Sequence, residues 1–280
     1  MEAEFSPASD FLFRSATFFP SQKALPFDSL CLLTGVVLPA GLTEIGQSAF
    51  SGCSSLTSIN LQDGMTRITD SLFSGCSSLT GIDIPDTVTE IERGAFSGCS
   101  SLTSVTLPEG VTVIEGYTFH SCHALTEIDL PSGLTSIGDS AFNACQSLET
   151  IDIPAGVTEI GSWAFCRCYA LTSVVLPEGL TRIERGLFAS CSALESVVIP
   201  AGVTWVGEQA FEGCHSLTEV YYGGTATQWQ DVEIDEIGWY LNKAEMYCYS
   251  QQEPPAGTDA TGYDGKYWRW ADGRPLIWEK

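Results

Sequence analysis

The chain has 280 residues, 44% of them hydrophobic, which is enough to build a sizeable core and excludes a disordered polymer. Its 12 basic residues against 35 acidic ones give a formal net charge of -23, a sign that repels nucleic-acid phosphates and anionic lipid headgroups. No run approaches the roughly 18 apolar residues of a membrane span, and Met1-Glu2-Ala3-Glu4 is acidic where a secretory leader begins basic, so the expectation is a soluble chain without an address of its own.

In chain order, residues 1–23 fit no register; Phe11, Phe13, Phe18 and Phe19 suit either an N-terminal cap or a leader. A half-repeat is expected over 24–37, where Phe27, Leu33 and Val36 anticipate the pattern that follows. From Leu38 to Tyr221 a 23-residue unit recurs eight times without insertion, beginning at Leu38, Leu61, Ile84, Leu107, Leu130, Ile153, Leu176 and Ile199. Its consensus is close to L-P-x-G-V-T-x-I-G-x-x-A-F-x-G-C-x-S-L-T-x-I-D, and a fixed period of this length is the signature of a solenoid.

The thirteenth position is Phe in all eight copies and the nineteenth is Leu in all eight, so both form inward columns. The segment L-x-x-[IV]-x-[LI]-P alternates inward and outward as a short first strand, which proline ends in seven copies. Glycine at the fourth position in seven copies suits a turn with positive φ, Thr87 being the departure. V-T-x-I reads as a second strand, and x-x-A-F-x-G-C as one helical turn or a tight irregular segment. No coil can bury its apolar side alone, so the coils stack about 4.8 Å apart into a mainly β repeat solenoid.

After Tyr221 the pattern breaks at Gly223-Gly224, and residues 222–250, with Trp229 and Val232, read as a C-terminal cap. Residues 251–280 read as a linker followed by an aromatic β-hairpin tail, with Tyr267, Trp268, Trp270 and Trp278 alternating around Asp272-Gly273.

The segments L-T-S-I-N-L, L-T-E-I-D-L-P and G-L-T-S-I-G-D-S-A-F-N-A-C resemble the BspA-like leucine-rich repeats of bacterial surface proteins. The Tyr222-Gly223-Gly224-Thr225 segment, the Gln228-Trp229 pair and the Tyr-Trp ending are similar to that family's closing segments. The resemblance implies a leucine-rich repeat fold with two short strands and one helical turn per coil. It also implies a secreted or surface-attached, extracellular setting and a role in binding other proteins or in adhesion.

The 11 cysteines invite thoughts of disulfides or zinc, but eight recur at one repeat position, from Cys53 to Cys214, and form an internal ladder of small apolar thiols. Rungs near 4.8 Å lie within disulfide Cα range, yet bridging requires adjacent side chains to lean together. His120 and His123 flank Cys122, whose register points it inward, and Cys166 shares a C-x-C with Cys168. No nucleophile elbow, phosphate loop or H-E-x-x-H occurs, and three histidines leave little material for a general base. The sequence points away from an enzyme and implies no cofactor.

What remains is the outward decoration. The last position of the repeat reads Asn60, Asp83, Thr106, Asp129, Asp152, Val175, Val198 and Tyr221, and Glu127 and Glu219 lie two residues before that position in their copies. Such carboxylates keep a sheet solvated and unaggregated; those on adjacent rungs, such as Asp129 and Asp152, also offer oxygen ligands to calcium. The sharper expectation is a surface on which Asp83, Glu127, Asp129 and Asp152 steer a basic protein partner and Tyr221 adds apolar contact. Tyr117, Trp163 and Trp205 stand where other copies carry smaller or charged residues, and are candidate anchors for a partner. The alternative is a spacer or scaffold with no ligand of its own.

Overall fold

The computed structural model describes residues 32–38, 40–235, 241, 244–250, 267–271 and 274–277. The expectations for residues 1–23, for 24–31 of the half-repeat and for the linker before residue 267 lie outside the described residues.

Each copy forms one coil of a right-through stack. First strands lie at Gly35–Val37, Ser58–Asn60, Ser104–Thr106, Glu127–Asp129, Ser173–Val175, Ser196–Ile199 and Glu219–Tyr222, and neighbouring ones pair in parallel at an offset of one repeat. Each three-residue strand buries its middle residue and turns its flanks outward, as period-2 alternation requires, whereas Ser196–Ile199 and Glu219–Tyr222 bury their last three residues. At 81–83 and 150–152 the ladder is interrupted, although Ile82 and Ile151 still face the core. Two-residue second strands, from Arg67–Ile68 to Trp205–Val206, stack in the same way.

The helical turn expected in each coil does not form: residues 9–16 of the repeat make successive turns with no helix. Two columns, the eleventh and fifteenth positions, have positive φ in all eight coils, whether occupied by Gly94 and Gly98 or by Tyr117, Ala144, Trp163 and Arg167. In that conformation the N–H turns along the stack and donates to the next coil, as in Tyr117 to Asp139 O, Ser121 to Asn143 O and Arg167 to Ala189 O. Alternate N–H groups close turns within the coil, such as Cys122 to Phe119 O. A backbone that gives every second donor to its neighbour cannot make i to i−4 bonds as well.

Glycine at the fourth position also plays a different part from the one expected. Only Gly41 and Gly64 in that column have positive φ. At Gly110 and Gly179 an added Cβ would come within 2.9 Å and 3.0 Å of the preceding coil's Thr89 and Thr158 methyl groups, so close approach of adjacent turns is what excludes a side chain there.

The core is a set of columns. Phe50 through Phe211 are fully or almost fully buried, with neighbouring rings stacked at centroid distances between 5.4 and 5.8 Å. Threonine hydroxyls add a surface ladder, each donating to the carbonyl one repeat earlier, as Thr126 to Thr103 and Thr135 to Thr112.

At the C-terminal end the sheet continues beyond the repeats. Glu219–Tyr222 pairs in parallel with Glu245–Tyr249, which pairs with Tyr267–Ala271, which pairs antiparallel with Arg274–Ile277. A short helix, Ala226–Gln230, closes the last coil; Thr225 and Gln228 form its capping box.

Phe142→Ala should cost about 3–5 kcal/mol by opening a cavity in the middle of the ring column. Asp152→Ala, at an exposed position, should change stability by less than about 0.5 kcal/mol. Denaturant unfolding of both variants checks this, and equal losses would mean that inside and outside are misassigned.

Candidate binding surfaces

The first-strand face carries most of the residues expected to meet a partner. Asp83, Glu127, Asp129 and Asp152 are all exposed and project to one side of the stack, Glu127, Asp129 and Asp152 from the adjacent fourth and fifth coils and Asp83 from the second, beyond the Thr106 rung. The five arginines of the array, Arg67, Arg93, Arg167, Arg182 and Arg185, occupy the seventh, tenth and fifteenth repeat positions, none of which belongs to this face. Their ion pairs are made elsewhere: Arg67 with Glu90 and Glu92, Arg182 with Glu184, and Arg185 with Glu208. The charges on the face are therefore all negative and uncompensated by cations of its own array, interspersed with neutral residues such as Asn60 and Thr106.

Tyr221 corrects the expectation made for it. Its side chain does point outward, but it is 5% exposed, because the strands that extend the sheet beyond it bring the Tyr247 and Trp268 side chains against it. Tyr247 stacks on it at 5.4 Å, Trp268 meets it edge-on at 5.6 Å, and Val198 completes a small second core. Trp268 is fixed there by its indole N–H, which donates to Tyr222 O at 2.9 Å. The Tyr221 hydroxyl donates to Glu219 at 2.7 Å, and burial, reinforced by that carboxylate, raises its pKa above the usual phenol range. Tyr247 is pushed up to about 12 by burial first and by Glu245 second. The acidic-to-apolar drift along the column is thus a docking strip for the chain's own tail, leaving Val175, 43% exposed, at its boundary.

Of the aromatic candidates on the other sides, Trp163 and Trp205 are half-buried and Tyr117 is exposed, and all three are engaged by neighbours. Trp205 lies beneath the Arg182 guanidinium, 3.9 Å from the ring centroid. Trp163 lies flat against Gly186, where an added Cβ would come within 2.2 Å of the ring, and Arg185 stands 5.7 Å from its centroid. Tyr117 is covered by Arg93 at 4.4 Å and faces His120 at 5.6 Å. Column-by-column comparison of the copies, extended from the aromatic outliers to Arg93, Arg182 and Arg185, is the signal that finds these pairs.

The thiol ladder is interior. Each ladder Sγ from Cys76 to Cys214 donates to the carbonyl of the phenylalanine in the preceding coil, for example Cys122 to Phe96 O at 3.3 Å and Cys145 to Phe119 O at 3.2 Å. All ten described cysteines are buried, and Cys76, Cys99, Cys122, Cys145, Cys166, Cys168, Cys191 and Cys214 are free thiols. Burial pushes Cys122 and Cys214 up to about 12 and holds Cys99, Cys145, Cys168 and Cys191 well above the usual thiol range. A raised pKa leaves the thiol protonated and unreactive near neutrality. His120, by contrast, is lowered, by burial first and then by His123 and Arg167. Cys122 points away from both imidazoles, and among the described residues no three His, Cys, Asp or Glu side chains converge as metal ligands.

The coil length, the leucine and phenylalanine columns and the parallel stacking define a leucine-rich repeat solenoid. The chain belongs to the BspA type leucine rich repeat family, whose pattern matches residues 25–131 and 112–232. The crystal structure of a leucine rich repeat protein from T. pallidum is similar, with 32% identity, a TM-score of 0.53, and coverage of 66% of this chain and 78% of that one. A leucine rich cell surface protein from Faecalibacterium prausnitzii shows 27% identity, a TM-score of 0.46, and coverage of 73% of this chain and 83% of that one. No curated protein matches the chain.

At pH 8 an aromatic disulfide reagent should modify only a few of the 11 cysteines of the native protein, and slowly, while unfolding in guanidinium should release all of them. Fast native labelling of most ladder positions, or a mass showing them paired, would contradict the buried reduced ladder.

Proposed function

We propose that this chain is a non-enzymatic binding protein that presents its first-strand face to a basic protein partner, outside the cell or at its surface. The observation that supports the reading is the segregation of charge. Carboxylates project on this face from the second, fourth and fifth coils, with Asp129 and Asp152 on adjacent rungs, whereas every arginine of the array lies on other positions. Like charges on rungs about 5 Å apart repel one another, so a cationic partner relieves that repulsion as it binds. A field of one sign also raises encounter rates and fades as salt screens it. The covered position of Tyr221 removes it from the contact, and the surface ends at Val175. The extracellular setting follows the family kinship.

The test is association with a panel of purified extracellular proteins that spans acidic to basic isoelectric points. The wild-type chain should bind basic members, and D83N/D129N/D152N should slow association by roughly tenfold at low salt without moving the thermal midpoint. Unchanged association in that variant, with loss of binding in W163A/W205A, would transfer the site to the second-strand side. Binding to no member of the panel would favour the spacer reading.

A further inference from the structure

The turn side of the solenoid, positions eleven to eighteen of the repeat, has one carboxylate in all eight coils, Glu212. In the first three coils, positions fourteen to eighteen read Ser-Gly-Cys-Ser-Ser without variation, at 51–55, 74–78 and 97–101. The next three depart together. They read His120-Ser121-Cys122-His123-Ala124, Asn143-Ala144-Cys145-Gln146-Ser147 and Cys166-Arg167-Cys168-Tyr169-Ala170. The ladder cysteine and its bond to the preceding coil persist through all three, so the core does not require the change.

The change also works against the backbone. Position fifteen has positive φ throughout, which glycine adopts freely, yet Arg167 stands there at φ 61. The other coils place only Gly, Ser or Ala at this position, so Arg167 is its one long, charged side chain, and it is exposed.

The three turns are locked side by side by Ser121 N–H to Asn143 O and Ala144 N–H to Cys166 O, both 2.7 Å. The fifth coil therefore lies between the fourth and sixth, with His120 and His123 on one side and Arg167 and Tyr169 on the other, roughly 10 Å apart at two rungs. Between them lie the amides of Asn143 and Gln146. His123, Gln146 and Arg167 are exposed, as is Tyr169 at 41%, and His120 lies within electrostatic reach of Arg167. Of the nearby carboxylates, Asp139 accepts a hydrogen bond from Ser162 N–H, while Glu115 and Glu149 are exposed at positions nine and twenty, outside the turn side.

We propose that this surface across the fourth to sixth coils binds a sugar unit bearing a single carboxylate, of the uronic or sialic acid class. The Arg167 guanidinium pairs with the carboxylate in a two-pronged contact. Tyr169 and the imidazoles lie against the C–H face of the ring, and the Asn143 and Gln146 amides donate to and accept from its hydroxyls. The exposed side chains of the site, His123, Gln146, Arg167 and Tyr169, all carry polar groups, which suits a hydroxylated, charged ligand better than a protein's apolar anchor. A polyanion is disfavoured by the chain's net charge of -23. The site lies on different coil positions from the acidic strand face, so the two readings stand or fall separately.

The test replaces each group with the residue that the same chain uses in its first three coils: H123S, R167G and Y169S together. This variant should keep the fold and melt at the same temperature or higher, since Arg167→Gly relieves a left-handed backbone. On an array of oligosaccharides ending in uronic or sialic acids beside their neutral counterparts, the wild-type chain should retain the carboxylated sugars, and the variant should lose at least tenfold. Retention of no carboxylated sugar by the wild type, equal retention of neutral ones, or equal binding by the variant would each overturn the proposal. D83N/D129N/D152N should bind the array as the wild type does.

Discussion

The carbonyl oxygen of the phenylalanine column is the point on which the stack depends. Within its own coil it accepts the N–H of the cysteine three residues on, and from the next coil it accepts that coil's cysteine thiol, as Phe96 O does from Cys99 N and Cys122 Sγ. One buried acceptor is thereby satisfied by two donors that arrive only if the next coil is in register. The same register closes the ring stack, places the left-handed N–H groups on their acceptors and aligns the parallel strands. A slip of one residue would expose the apolar set of every strand and strand these donors together.

Because register is fixed inside, the outside is free to differ from coil to coil, and each side of the stack carries its own chemistry. The first-strand face is acidic in the middle and ends under the C-terminal strands, where Val198, Tyr221, Tyr247 and Trp268 form a second core. The second-strand side carries four of the array's five arginines, three of them set over aromatic rings. The turn side is almost free of carboxylates and changes composition at the fourth coil. The interior, by contrast, is uniform, and its buried thiols are held protonated inside the stack.

Much of this was legible in the sequence because solenoid columns repeat. Phenylalanine, leucine and cysteine at fixed positions gave the period, the core and the outward strand positions, and Asp83, Asp129 and Asp152 are exposed as alternation requires. The left-handed columns were hidden, since Ser, Tyr, Ala, Trp and Arg occupy them as often as glycine does; an inter-coil hydrogen bond, not residue type, imposes that conformation. The same bonds replaced the expected helical turn. Tyr221 was placed on the correct side but not recognised as covered, because alternation gives direction and says nothing of what a later segment lays over it. Trp268 comes from beyond the repeats, where no column predicts its place.

The account's central claim is that a coil is tolerated only as a whole unit in register, and two deletions test it most directly. Removing residues 130–152 takes out one complete 23-residue coil and rejoins Asp129 to Ile153 with every column intact. Removing 130–141 takes out half as much but joins Asp129 to Phe142, so one coil loses its second strand and the columns fall out of step. Circular dichroism and denaturant unfolding of both should show the larger deletion folded and cooperative with a modest loss of stability, and the smaller one severely destabilised or unfolded at its junction. A half-coil deletion as stable as the whole-coil deletion would contradict the claim.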